Sequence, residues 1–287
     1  MSTLTPASAY WNQRFALAAC RERLLALHTA IGDPNSLSGP QFAQLFAYAM
    51  EFQPDLILEL GRGDGNSTCL FTEAANQLGP DRCRVLSLCR TPSWESTPPA
   101  AVADLVPSEW FAPLTTYSGD ILDFDYAPLP GNPRRVLVFW DAHGYDIAEC
   151  VLGAILPRLV EREHVVLMHD LSDSRYLGPE HRPYGTNRLW RANDVSGRAL
   201  WLGKIYSPFE QAVAVLDFAT RNNLQLRSAD ESVRSELHVD EKKVSEMRRL
   251  IGEEFYSHRA QWFYFSLNER LGPFTFPRFP SPEERGK

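Results

Sequence analysis

Apolar positions change period several times along the chain, and each change marks an element. Over residues 9–30, Ala9, Trp11, Phe15, Leu17, Ala19, Leu24, Leu25 and Leu27 recur at mostly helical spacing, and the pattern stops near Gly32-Asp33-Pro34. A second helix is expected over 40–51, capped by Ser38 and carrying Phe42, Leu45, Phe46 and Met50. The run Leu56-Ile57-Leu58-Glu59-Leu60 then predicts a short buried strand. It enters Gly61-Arg62-Gly63-Asp64-Gly65, and a helical pattern from Asn66 to Leu78 follows, closed by Gly79-Pro80.

The alternation continues. Strands are expected at 84–89, 115–117, 136–140, 164–168, 224–226 and 261–267. Helices are expected over 146–159, with Asp146 as cap and Pro157 disturbing the last turn, over 209–220 and within 229–259. Apolar strands alternating with helices specify an α/β fold: a doubly wound, mostly parallel sheet covered on both faces. Residues 91–113 are rich in proline and resist assignment. Residues 171–200, with Arg175, Arg182, Arg188, Arg191, Arg198, Tyr176, Tyr184 and Trp190, read as a long loop over the carboxyl end of the sheet. The expectation is a substrate lid, with an oligomer contact or a solvated loop as the alternative. The expected organisation is an N-terminal helical extension over 1–50, the sheet domain over 51–270, and a proline-rich extended tail over 271–287.

Composition narrows the chemistry. The 287 residues carry 29 basic and 36 acidic side chains, a net charge of −7, which disfavours binding to nucleic-acid phosphate. The lysines are Lys204, Lys242, Lys243 and Lys287 alone, so no phosphate-loop or Schiff-base lysine lies in residues 1–203. Five cysteines without a CxxC pair indicate neither a disulfide framework nor structural zinc. The first fifteen residues lack a basic start followed by an apolar run, and no stretch approaches the ~20 apolar residues of a bilayer span. The protein is therefore read as cytoplasmic, without nucleic-acid or membrane partners, with a small-molecule substrate and with a homo-oligomer left open.

The glycine turn is the first candidate site. In an open α/β sheet, ligands bind beyond the carboxyl ends of the strands at the topological switch point. The dinucleotide fingerprint would need a glycine at position 66, which is Asn66, so a nicotinamide oxidoreductase is disfavoured. Glu59-Leu60-Gly61-Arg62-Gly63-Asp64-Gly65 instead resembles the first motif, E/D-x-G-x-G-x-G, of the class I S-adenosylmethionine-dependent methyltransferases. The resemblance covers roughly residues 40–170 and implies a seven-stranded Rossmann-like methyltransferase fold with an antiparallel final strand. It implies S-adenosylmethionine as cofactor, its methionine end lined by Gly61, Gly63 and Gly65 and held by Glu59, directly or through the turn. Asn66, Ser67 and Thr68 would offer donors at the helix start. Gly119-Asp120-Ile121 resembles the adenine-side motif, although Asp120 also reads as an ordinary turn aspartate. The family's second strand usually ends in an acid that accepts both ribose hydroxyls. Here it ends Leu88-Cys89-Arg90, so either Ser87, a backbone group or a loop residue serves, or the cofactor differs, or its affinity is low.

The second candidate site lies at the ends of the strands at 136–140 and 164–168. If these are neighbours, Asp141, His143, His169 and Asp170 converge beside the turn, with Asp141 also among the cofactor-binding candidates. Carboxylates with an imidazole suit a divalent cation, Mg²⁺ for oxygen ligands alone. The pattern resembles the sugar and macrolide O-methyltransferases and their cephalosporin-hydroxylase-like relatives, whose acids after strands four and five bind Mg²⁺. Asp141-Ala142-His143 is one residue shorter than that family's D-x-x-H, and His169 replaces one of its paired acids. The resemblance implies Asp141, His169 and Asp170 as metal ligands and His143 or His169 as general base for a substrate hydroxyl. The alternative is a cofactor-binding or interaction protein that keeps the fold without transferring methyl groups.

Overall fold

In a computed structural model, the structure describes residues 4–32, 37–169, 207–280 and Glu284. Asp170, the loop 171–200 and most of the last seven residues lie outside the described residues.

Seven strands form one sheet: β1 (Leu56–Leu60), β2 (Arg84–Cys89), β3 (Leu114–Ser118), β4 (Arg135–Trp140), β5 (Glu163–His169), β6 (Arg227–Ser228) and β7 (Trp262–Phe265). Their order is β3-β2-β1-β4-β5-β7-β6. Strands β1 to β5 pair in parallel and β7 is antiparallel to β5. The doubly wound, mostly parallel sheet is as expected, and the polarity change at β7 accompanies a left-handed residue, Gln261 (φ 59°), directly before it.

Burial follows the period-2 alternation of the strands. Leu56, Leu58, Leu60, Val136, Val138, Trp140, Val166 and Met168 pack into one core. Ile57, Leu137, Phe139, Val165 and Leu167 face the other. This second core is shared with three N-terminal helices, α1 (Pro6–Asn12), α2 (Arg14–Ile31) and α3 (Gly39–Phe52), and with α4 (Asn66–Leu78). The single helix expected over 9–30 is broken at Gln13, whose backbone leaves the helical region (ψ 10°). The proline-rich stretch forms two short helices, α5 (Ser93–Ser96) and α6 (Pro98–Val102), and a 3₁₀ turn at Ser108–Phe111.

Three local expectations are corrected. The helix at 146–159 is α-helical only over α7 (Tyr145–Cys150), continuing as a π-turn at Val151–Ile155 and a 3₁₀ turn at Leu156–Arg158, where Pro157 lacks the N–H to extend an α-helix. Its N-cap is Gly144 and not Asp146, which sits one residue inside the first turn. Leu224-Gln225-Leu226 is not a strand; the pairing falls on Arg227–Ser228 at the sheet edge. The remaining α-helices among the described residues are α8 (Ser207–Arg221), α9 (Ala229–Ser232), which passes into a π-turn at Val233–His238, and α10 (Glu241–Ile251). Among the described residues no helix is long and apolar enough to cross a membrane.

Candidate functional site

Register brings the site together. Leu60 lies opposite Leu88 on one side and Trp140 on the other, and Trp140 lies opposite Met168. The carboxyl ends of β2, β1, β4 and β5 therefore stand in a row, with the chain turning opposite ways on the two sides of β1. This is the switch point at which ligands of open sheets bind.

All three glycines of the turn have positive φ: Gly61 94°, Gly63 51° and Gly65 91°. Each has its own reason. A Cβ on Gly61 would stand 2.6 Å from the Asp141 carbonyl carbon and the Ala142 nitrogen, so glycine lets the turn press against the end of β4. A Cβ on Gly65 would meet the Trp94 ring at 2.7 Å. A Cβ on Gly63 would meet no described atom within 4 Å, and its φ is one that glycine adopts without strain.

Glu59 is fully buried on β1. Its carboxylate accepts from Ser67 Oγ at 2.5 Å, from Thr68 Oγ1 at 2.6 Å and from Ser87 Oγ. Burial pushes its pKa up, while the three hydroxyls and the nearby Arg62 guanidinium pull it down. Glu59 thus ties β1 to the start of α4 and to β2, and bears on the turn through that bracing. Ser67 and Thr68 are occupied in the same bracing. Asn66 is different: it is 4% exposed, and neither its amide nitrogen nor its oxygen has a partner among the described residues.

Arg62 was not singled out by sequence reasoning. It is 2% exposed and lies across the ends of β2 and β3, donating to Ser87 O at 2.9 Å and Ser118 Oγ at 3.2 Å. The Trp94 ring covers it, 5.8 Å from the guanidinium carbon. The signal in the sequence is an arginine enclosed by two glycines, which leaves its side chain room to fold back over the strand ends. Ser87, weighed as a ribose partner, is buried between Glu59 and Arg62. Asp120 caps the 3₁₀ turn Ile121–Asp123 by accepting from Leu122 N at 3.0 Å, the turn-aspartate reading, and Ile121 is buried in the core.

Asp141 and His169 meet as expected from adjacent strands: Asp141 Oδ1 is 3.1 Å from His169 Nδ1. His143 Nε2 is 3.9 Å from the same oxygen, within ion-pair reach but long for a direct hydrogen bond. Both imidazoles are nearly buried, at 7% and 5% side-chain exposure, whereas Asp141 keeps 24%. The second nitrogen of His169, Nε2, lies 3.0 Å from the Gln41 amide nitrogen, so both ring nitrogens engage protein groups. Gln41 comes from α3 and was also missed; its partner is 128 positions away, and no local pattern connects them. Among the described residues no group of three or more His, Cys, Asp or Glu side chains could hold a metal ion. The third expected ligand, Asp170, lies outside the described residues.

Strand order, the antiparallel seventh strand and a glycine turn after β1 at the switch point are now all in place. The chain has the class I methyltransferase fold. No family model and no curated protein matches it. Among solved structures it is similar to the O-methyltransferase TomG from Streptomyces achromogenes in complex with SAM, 19% identical over 74% of this chain and 81% of that one, TM-score 0.44. It is also similar to the SAH-bound methyltransferase PaMTH1 from Podospora anserina, 13% identical over 74% and 82%, TM-score 0.46. A third is an O-methyltransferase from Bacillus cereus in complex with SAH, 14% identical over 74% and 82%, TM-score 0.41. At these identities residue roles do not carry over, and the fold rests on the strand order.

The Asn66 amide is buried with no partner among the described residues, which costs about 1–3 kcal/mol until something bonds it. At the ends of β2 and β3, Arg62 lies under Trp94 and offers only donors.

Proposed function

We propose that this protein is an S-adenosylmethionine-dependent methyltransferase acting on a small-molecule hydroxyl. The observation that carries the reading is the braced glycine turn at the switch point, pressed against the end of β4 where Asp141 and His143 stand. Gly61, Gly63, Gly65 and Asn66 would hold the amino-acid end of the cofactor, which when bound supplies an electrophilic methyl on sulfonium. A partly exposed carboxylate in an acidic chain suits such a cation.

His143 is the general base in this reading. The lone pair of His169 Nε2 is directed at Gln41, so His169 holds Asp141 rather than taking the substrate proton. Asp141 in turn steadies the positive charge that His143 gains when it removes a proton from the hydroxyl. Divalent-metal assistance is the finer part of the proposal. A cation would draw on oxygens of Asp141 and Asp170 and not on His169, since carboxylate oxygens suit Mg²⁺. Native mass spectrometry of the protein with S-adenosylmethionine and Mg²⁺ tests cofactor and metal together. A one-to-one cofactor adduct is expected, and its absence at saturating cofactor overturns the reading. His143→Ala is expected to lower kcat by about 10²–10⁴ with cofactor affinity unchanged.

A second reading has its own observation. Arg62 and Trp94 cover the ends of β2 and β3, which favours a protein that keeps the fold without methyl transfer. It predicts that His143→Ala leaves the biological role intact.

A further inference from the structure

We propose that Gln41 is a positioning residue: it fixes His169 in the Nδ1–H tautomer and so directs an N–H at Asp141. Ser38 N lies 2.8 Å from Gln41 Oε1, and a backbone N–H can only donate, so the oxygen of the amide must face Ser38. Ser38 Oγ donates to the same oxygen at 2.9 Å. The amide nitrogen therefore faces His169 Nε2 at 3.0 Å, and its other hydrogen points to Gln261 Oε1 at 3.3 Å. An NH₂ group has no lone pair to accept with, so His169 Nε2 must be the acceptor and carries no hydrogen. The neutral ring then bears its proton on Nδ1, which donates to Asp141 Oδ1 at 3.1 Å.

Each link is enforced by the fold. Gln41 is 4% exposed and stands three residues past Ser38, the spacing at which a side chain reaches back to the helix cap. His169 ends β5 opposite Trp262 of β7, which puts Gln261 next in line, and Gln261 is itself held by its backbone N–H to Asp230 Oδ2 at 2.8 Å. With four bonds the Gln41 amide is satisfied, and turning it over would set its NH₂ against the Ser38 N–H. The chain of contacts gives the N-terminal helices a direct bearing on the Asp141 carboxylate. The catalytic consequence rests on the methyl-transfer reading; the tautomer does not.

The test is a long-range ¹H–¹⁵N correlation spectrum of histidine-labelled protein at a pH where the ring is neutral, with His169 assigned by its loss in His169→Gln. An unrestrained imidazole favours the Nε2–H form, so the Nδ1–H pattern at His169 is distinctive. The expected result is Nδ1–H in the wild type and a shift toward Nε2–H in Gln41→Leu, which keeps the bulk and removes the donor. Nε2–H in the wild type, or an unchanged spectrum in Gln41→Leu, overturns the proposal, and the wild-type spectrum decides it if the variant fails to fold. In turnover, Gln41→Leu is expected to lower kcat at least about tenfold without changing KM for the methyl donor, and to add nothing in an Asp141→Asn background. An Nδ1–H ring in a protein that binds no S-adenosylmethionine would sustain the tautomer and sink the functional reading.

Discussion

Glu59 illustrates how burial divides binding from bracing. A carboxylate with no exposure and three hydroxyl donors has its bonds within the protein, where it ties β1 to α4 and β2 and braces the turn. Glu59→Ala would leave the Ser67, Thr68 and Ser87 hydroxyls buried beside a cavity, and is expected to lower unfolding free energy by about 3 kcal/mol. Glu59→Gln, which retains one acceptor, should cost less, and urea midpoints of the two variants check the order. Gly61→Ala meets the β4 backbone in a left-handed conformation, so a loss of about 3 kcal/mol is expected by the same measurement. The acids and imidazoles of the site were legible because they end apolar runs. Arg62, Trp94 and Gln41 were not, because their roles arise from contacts between segments far apart in sequence.

Elements were legible where one period persists. The boundaries of β1, β2 and α4 agree with the hydrophobic pattern, since each is closed by a glycine, a proline or a polar change that physics makes decisive. They were less legible where tertiary contacts choose between equals, as in the π-turn at Val151–Ile155, where the tail's Pro277 carbonyl packs on Gly153, and the short edge strand β6. One junction yields a pH dependence. His164 on β5 accepts from Leu267 N at 3.1 Å with Nε2, which ties β5 to the end of β7. Desolvation pushes its pKa below the ordinary 6.5, against the raising effect of backbone bonds to Arg162 and Leu159. As pH falls through about 6.5 the unfolded chain takes a proton that the folded chain refuses, so stability decreases. Urea midpoints are expected to fall between about pH 7.5 and about pH 5.5, and His164→Gln is expected to flatten that slope.

The described residues gather the candidate chemistry at the carboxyl ends of the central strands of one sheet. A net charge of −7 and the absence of lysine before Lys204 leave carboxylate, imidazole and guanidinium to act there, and the switch point gathers Glu59, Asp141, His143 and His169 with Arg62. The N-terminal helices belong to this arrangement: Tyr10, Leu17, Phe42 and Phe46 share a core with Phe139 and Leu167, and Gln41 reaches the site from them. In the proposed function the glycine turn binds the methyl-donor cofactor. Titration calorimetry of S-adenosylhomocysteine into the wild type and into Gly63→Val tests it most directly, because a Cβ at Gly63 would meet no described atom within 4 Å. Saturable one-to-one binding by the wild type is predicted, lost or weakened at least about tenfold in Gly63→Val while that variant still unfolds cooperatively. No heat of binding at millimolar ligand, or equal affinity in both proteins, would contradict it.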